Sequence, residues 1–259
     1  MQLSIKKQTQ ILYGKHAIVI GGGTGIGLAI AQMLADEGAL VTITGRNQDT
    51  LNAVTSDRII GIAMDVRNET HVCRQIKEAV NINGPIQICI PNAGIAEGKA
   101  LYKTTTEFWR NMMATNLDGA FYTIRESLNS MRKTNWGRVI TISSIAGLKG
   151  QKGAACYTAS KHGLVGLTRA LSEDFIDTGI TFNTVCPGYV DTPLVRQNID
   201  SISKRSGLSK KNALELMISA NRNKRLISTK EVAATVLWLC QYNSSSINGQ
   251  AIEISGGQV

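Results

Sequence analysis

Hydrophobic positions fall into short, near-continuous apolar runs that alternate with longer stretches where apolar residues recur every three or four positions. The short runs predict strands at Ala17–Ile20, Leu40–Thr44, Ile59–Ala63, Ile86–Ile90, Arg138–Ile142, Ile180–Val185 and Ala251–Ile254. The periodic stretches predict helices at Gly25–Asp36, Glu69–Val80, Thr106–Met131, Ala154–Phe175 and Thr229–Cys240. Strands alternating with helices require right-handed crossovers, hence a parallel sheet covered on both faces. The expectation is a doubly wound α/β fold with a seven-stranded parallel sheet, formed by one domain over residues 1–259. A polar, basic stretch at 194–225 breaks the rhythm and reads as a helical lid inserted over the ligand-binding edge.

Composition narrows the class. Hydrophobic residues are 43% and charged residues 18% of the 259, enough apolar material for a packed core. No apolar run approaches the length of a membrane span. The start, with Lys6 and Lys7 but no apolar stretch behind them, does not read as a secretory leader. Cys73, Cys89, Cys156, Cys186 and Cys240 are scattered, and His16, His71 and His162 add no close-spaced ligands. The expectation is reduced thiols, no metal, and a cytoplasmic protein.

The first strand runs into Gly21-Gly22-Gly23-Thr24-Gly25-Ile26-Gly27 and then into a helical pattern. Glycines let the backbone approach a pyrophosphate, and the following helix presents open N–H groups and the positive end of its dipole. This is the dinucleotide-binding arrangement of a Rossmann fold, although adenosyl-cofactor methyltransferases share the layout. A carboxylate at the end of the second strand would favour NAD. The chain has Arg46 there, which can pair with a 2′-phosphate and so points to NADP, with NAD still open. Arg46 could also be solvated or stack on adenine. Asp65, after the third strand, could accept from the adenine amino group or simply begin a loop.

Tyr157 and Lys161 are four residues apart on one helical face. Ser144 ends the strand thirteen residues before Tyr157, and Asn116 lies in the preceding long helix. A tyrosine with an ordinary pKa near 10 is a poor base. A neighbouring ammonium, helped by a positive nicotinamide ring, would lower it and let the phenol exchange a proton with a carbinol oxygen. Alone, such a pair also suits an ordinary helix surface.

Taken together, Gly21-x3-Gly25-Ile26-Gly27, Asn92-Ala93-Gly94, Asn116-Leu117, Ser143-Ser144, Tyr157-x3-Lys161, Pro187-Gly188 and Thr192 closely resemble the classical short-chain dehydrogenases/reductases over nearly the whole chain. The resemblance implies that Tyr157 is the acid/base, Ser144 orients the substrate, Lys161 binds the nicotinamide ribose and lowers the Tyr157 pKa, and Asn116 completes a proton relay. It places Gly21, Thr24, Gly25, Ile26, Gly27, Arg46, Asp65, Val66, Asn92, Ala93, Gly94, Pro187, Gly188, Val190 and Thr192 around the cofactor. It also implies a homotetramer assembled through the long helices. Two positions depart from the pattern: Ile20 stands before the first glycine, and Pro91 precedes Asn92. Both put the local sheet geometry in doubt.

Several stretches, among them TVCPGYVDTPLV and INGQAIEISGG, resemble 3-oxoacyl-thioester reductases, 3-hydroxybutyrate dehydrogenases and polyketide ketoreductases. The implied substrate is a 3-oxoacyl group on coenzyme A or on an acidic acyl carrier protein. A 3-hydroxy acid, steroid or sugar alcohol falls in the same class, and a catalytically idle dinucleotide-binding regulator is the alternative in another. Net charge is +9, and residues 194–225 hold much of it through Arg196, Lys204, Arg205, Lys210, Lys211, Arg222, Lys224 and Arg225, opposed by Asp200 and Glu215. That placement suits an anionic thioester carrier or a merely solvated face. With aromatics at 5% and no nucleic-acid motif, neither nucleic acid nor a membrane is expected as a partner.

Overall fold

A computed structural model describes residues 10–259. The basic start, with Lys6 and Lys7, lies outside the described residues. Near-continuous apolar runs make strands buried on both faces, and all of them join one parallel sheet: β1 (His16–Ile20), β2 (Leu40–Gly45), β3 (Ile59–Ala63), β4 (Ile86–Pro91), β5 (Gly137–Ile142), β6 (Ile180–Pro187) and β7 (Ala251–Ile254). Their order is β3-β2-β1-β4-β5-β6-β7. The chain winds outward from β1 to β3 and then crosses back to β4, so a crevice opens at the carboxyl ends of β1 and β4.

The connecting helices are α1 (Gly25–Asp36), α2 (Gln48–Asn52), α3 (Glu69–Asn83), α4 (Thr106–Met113), α5 (Gly119–Met131), α6 (Ala155–Asp174), α7 (Pro193–Ser206), α8 (Lys210–Ala220) and α9 (Thr229–Leu239). Side chains alternate across each strand. Val19 therefore joins one apolar layer with Ile30 and Leu34 of α1 and Val232 and Val236 of α9. Ile18 and Ile20 face the other layer, against Val72 and Ile76 of α3 and Ile124 and Leu128 of α5. Each fully buried side chain of this kind contributes about 1.5–3 kcal/mol.

The single helix expected over Thr106–Met131 is two helices joined by a π turn, Ala114–Asp118. No proline marks the break, and its one glycine, Gly119, closes the π turn and begins α5. The lid stretch forms α7 and α8, joined through Gly207 at φ +73, in the left-handed region that glycine tolerates best. Lys210 pairs with Asp200 across that turn at 2.7 Å.

Pro91 is in register with Ile20 and offers no N–H to the ladder. The Asn92 side-chain amide, directly after β4, ties it to the end of β1, donating to the carbonyls of Ile20 (3.0 Å) and Gly21 (3.1 Å). The two departures from the family pattern are thus bridged by one neighbouring side chain.

Among the described residues, no helix is long and apolar enough to cross a membrane. No cluster of three His, Cys, Asp or Glu side chains could hold a metal there, and all five cysteines are free.

Candidate functional site

The crevice is a cleft of about 590 Å³ running from Arg46 to Tyr157 and Lys161. The glycine loop shapes its floor. Gly21 and Gly25 have φ of +71 and +55. A Cβ on Gly27 would overlap the Gly21 carbonyl oxygen, so the third glycine lets α1 pack directly under the loop. Thr24 caps α1 without a side-chain hydrogen bond, leaving the first-turn N–H groups without intrahelical acceptors. The buried Thr44 hydroxyl, in the cleft wall, has no hydrogen-bond partner. An open helix N-terminus, a glycine cradle and an orphaned hydroxyl in one cleft fit a dinucleotide.

Gly21, Thr24, Gly25, Ile26, Arg46, Asp65, Val66, Asn92, Ala93, Gly94, Tyr157, Lys161 and Thr192 all line this cleft. Gly27, beneath the loop, does not, and neither do Pro187, Gly188 and Val190. Pro187 pairs with Ile254 in the sheet, Gly188 donates to the Ile254 carbonyl at 2.9 Å, and Val190 is buried against Ile227. These three hold the segment that carries Thr192. Asp65 is already engaged: Arg67 donates to it at 2.6 Å, and this contact, more than any other, holds the carboxyl below its usual range. Arg67 also donates to Asn111 of α4 at 3.3 Å and lines the cleft. Sequence reasoning passed over it, although its place two residues beyond Asp65 was a usable signal.

Ser144, Tyr157, Lys161 and Asn116 converge at the other end. Ser144 lies two residues beyond β5, where its oxygen accepts from the Ala146 N–H at 3.2 Å and its hydroxyl stands beside the Tyr157 phenol. Lys161 is buried and donates to the Ile142 carbonyl at 2.9 Å. Its ammonium lies 5.8 Å from the Tyr157 ring centre. Asn116, in the π turn, accepts from the Ile95 N–H (2.8 Å) and donates to the Ile95 carbonyl and the Ser160 hydroxyl (3.0 Å each). A Cβ on Gly94 would touch both Asn116 Oδ1 and Lys161 Nζ, so this glycine lets the two side chains approach the same point of the backbone.

The expected lowering of Tyr157 by Lys161 is not what the chain's own groups produce. Burial pushes the phenol above its ordinary value, and the Ser144 hydrogen bond only partly opposes it. Burial also pushes Lys161 down to about 8, because the buried ammonium has a carbonyl but no carboxylate beside it. At neutral pH this arrangement keeps a proton on Tyr157 and a positive charge on Lys161.

A second cavity, of about 300 Å³, opens beyond Ser144 between the segment following β5 and the C-terminal tail.

A nucleotide cleft leading to a Ser–Tyr–Lys cluster at the carboxyl edge of a doubly wound sheet defines a nicotinamide-dependent oxidoreductase. Residues 15–202 match the family model described as short chain dehydrogenase. The chain is 31% identical over 253 residues to a D-beta-hydroxybutyrate dehydrogenase of Rhizobium meliloti (strain 1021), spanning 94% of this chain and 98% of that protein. It is 32% identical over 253 residues to the 3-oxoacyl-(acyl-carrier-protein) reductase FabG of Aquifex aeolicus (strain VF5), spanning 95% and 98%. A crystal structure of actinorhodin polyketide ketoreductase with NADPH superposes with a TM-score of 0.91 at 32% identity, covering 94% of this chain and 97% of that one. The chain belongs to the short-chain dehydrogenase family, whose members use NAD or NADP.

Proposed function

We propose that the protein reduces the 3-oxo group of a 3-oxoacyl thioester with NADPH, giving the 3-hydroxyacyl product. The observation that carries this reading is the Tyr157 phenol, kept protonated by burial, with the Ser144 hydroxyl beside it and the Lys161 ammonium 5.8 Å from its ring, at the end of the Arg46 cleft. When bound, the cofactor supplies the hydride. Tyr157 donates the proton to the substrate oxygen, and the Ser144 hydroxyl holds that oxygen by a second hydrogen bond. Lys161 has one N–H on Ile142 and two more for the nicotinamide ribose hydroxyls. Asn116, against the same glycine as Lys161, would hold the water through which the proton returns.

Arg46 supports NADP over NAD, because a guanidinium at the adenosine end matches a 2′-phosphate. The thioester rests on the 3-oxoacyl reductase among the relatives, and a cationic lid suits an anionic carrier such as an acidic acyl carrier protein. An exposed Phe121 on α5 and Trp109 on α4 suit the expected homotetramer. A second reading, a free 3-hydroxy acid dehydrogenase, is favoured by the small cavity beyond Ser144 that Lys149 and Lys152 line.

Cofactor oxidation with acetoacetyl-CoA tests the reading. Wild type should prefer NADPH, and Arg46→Ala should cost about 1.5–3 kcal/mol in kcat/KM for NADPH, roughly ten- to a hundredfold, while leaving NADH nearly unchanged. Equal losses with both cofactors would remove the 2′-phosphate assignment.

A further inference from the structure

We propose that the second cavity is an oxyanion subsite of the substrate pocket, in which Lys149 and Lys152 bind a carboxylate or phosphate carried by the substrate. This rests on the reductase reading above and adds what the substrate must carry. The cavity holds about 300 Å³, and its wall includes Ile145, next to Ser144 in the chain, and Tyr189, whose phenol acts electrostatically on Tyr157, so it lies beside the catalytic pair.

Ligand pockets are usually lined mainly by apolar and aromatic side chains. This one combines apolar surface from Ile145, Ala146, Gly150 and Ala220 with five polar side chains, Lys149, Gln151, Lys152, Tyr189 and Gln258. It contains two cations and no carboxylate. The half-buried Lys149 donates to the Gln258 carbonyl at 3.0 Å, a contact that neutralises no charge. Lys152 has no ion pair among the described residues. At the lid, by contrast, Lys210 is matched by Asp200 and Arg196 by Asp191.

The opposite wall is built to hold still. Asn221, fully buried at the end of α8, accepts from the Tyr189 N–H (3.0 Å) and from the Gln258 side chain (3.1 Å), and donates to the Tyr189 carbonyl (2.9 Å). The Tyr189 hydroxyl accepts from Gln151 at 3.2 Å and keeps its own proton to donate. Two lysines and a phenol donor around a small space match an oxyanion. The anion has two sources: the carboxylate of a free 3-oxo acid, or a phosphate of a coenzyme A or pantetheine carrier.

The test compares NADPH oxidation with acetoacetate, acetoacetyl-CoA and the neutral acetoacetyl-N-acetylcysteamine, in wild type and in the double variant Lys149→Met/Lys152→Met. For the anionic substrate that uses the subsite, kcat/KM should fall about tenfold or more relative to the neutral thioester. A selective loss with acetoacetate assigns a carboxylate, and one with acetoacetyl-CoA assigns a phosphate. A parallel loss on all three, or no loss, overturns the subsite. Should wild type oxidise NADPH with none of them, the reductase reading fails separately. Titration of acetoacetate and of coenzyme A into NADP-loaded Tyr157→Phe protein, with and without the two lysines, then decides: binding weakened about tenfold supports the subsite, and equal affinity overturns it.

Discussion

Burial moves the phenol of Tyr157 up and the ammonium of Lys161 down, in each case against the charged form. The identities and spacing of these residues are plain in the sequence. The directions of their shifts are not, because they depend on how much chain closes over them and on the absence of a carboxylate beside Lys161. Arg67 carries the same lesson, since its grip on Asp65 exists only once the loop after β3 has turned. His16 gives a residue-scale prediction. It is buried, with one ring nitrogen on the Gly84 carbonyl (2.8 Å) and the other on the Thr42 hydroxyl (2.9 Å), and burial lowers its pKa below 6.5. The unfolded chain therefore takes up the proton first as pH falls, and stability declines below about pH 6.5. Thermal unfolding of wild type should shift downward between roughly pH 6.5 and 5, before most carboxylates titrate. The shift should be smaller in His16→Gln, and identical pH profiles would refute the assignment.

Among the elements, the strands are legible to within two residues because a sheet buried on both faces demands nearly unbroken apolar runs. The long helix is not. The one local mark in Thr106–Met131 is Gly119, directly after the π turn at Ala114–Asp118, and a lone glycine is tolerated inside a helix; what accompanies the turn is a contact twenty-one residues away, where the Asn116 amide grips both backbone groups of Ile95. A π turn is commonly found at functional sites, and here it coincides with the one polar side chain of this helix pair that meets Lys161 at Gly94. The cost of breaking the clamp follows from leaving buried polar groups unpaired. Asn116→Ala should lose about 1–3 kcal/mol of stability, read as a lower urea midpoint at unchanged m-value. An unchanged midpoint would show that the clamp carries no energy. The lid was legible only as a polar, basic run, and its division into α7 and α8 depends on Gly207 and the Lys210–Asp200 contact.

Across the whole molecule, the switch in strand order brings the glycine loop, Arg46 and the Ser144–Tyr157–Lys161 cluster to one edge, although they are spread over more than half of the sequence. Spacing along the chain identified them, and the parallel topology explains why they meet. The fold also redistributes the positive charge. Within the basic stretch, Lys210 pairs with Asp200, while Arg196 and Arg225 find Asp191 and Glu231 just outside it. The side chain of Arg205 lies outside those described. Such exposed pairs are worth little for stability, but they lower the net field of the lid and leave Lys149 and Lys152 as cations facing the substrate cavity without a carboxylate partner.

The central claim is that Tyr157 delivers the proton in an NADPH-linked reduction. Its most direct test is the rate of NADPH consumption with acetoacetyl-CoA and acetoacetate in wild type and Tyr157→Phe, with NADPH binding measured in parallel. The account predicts that kcat falls at least about a hundredfold while NADPH still binds. Equal rates for the two proteins would contradict it.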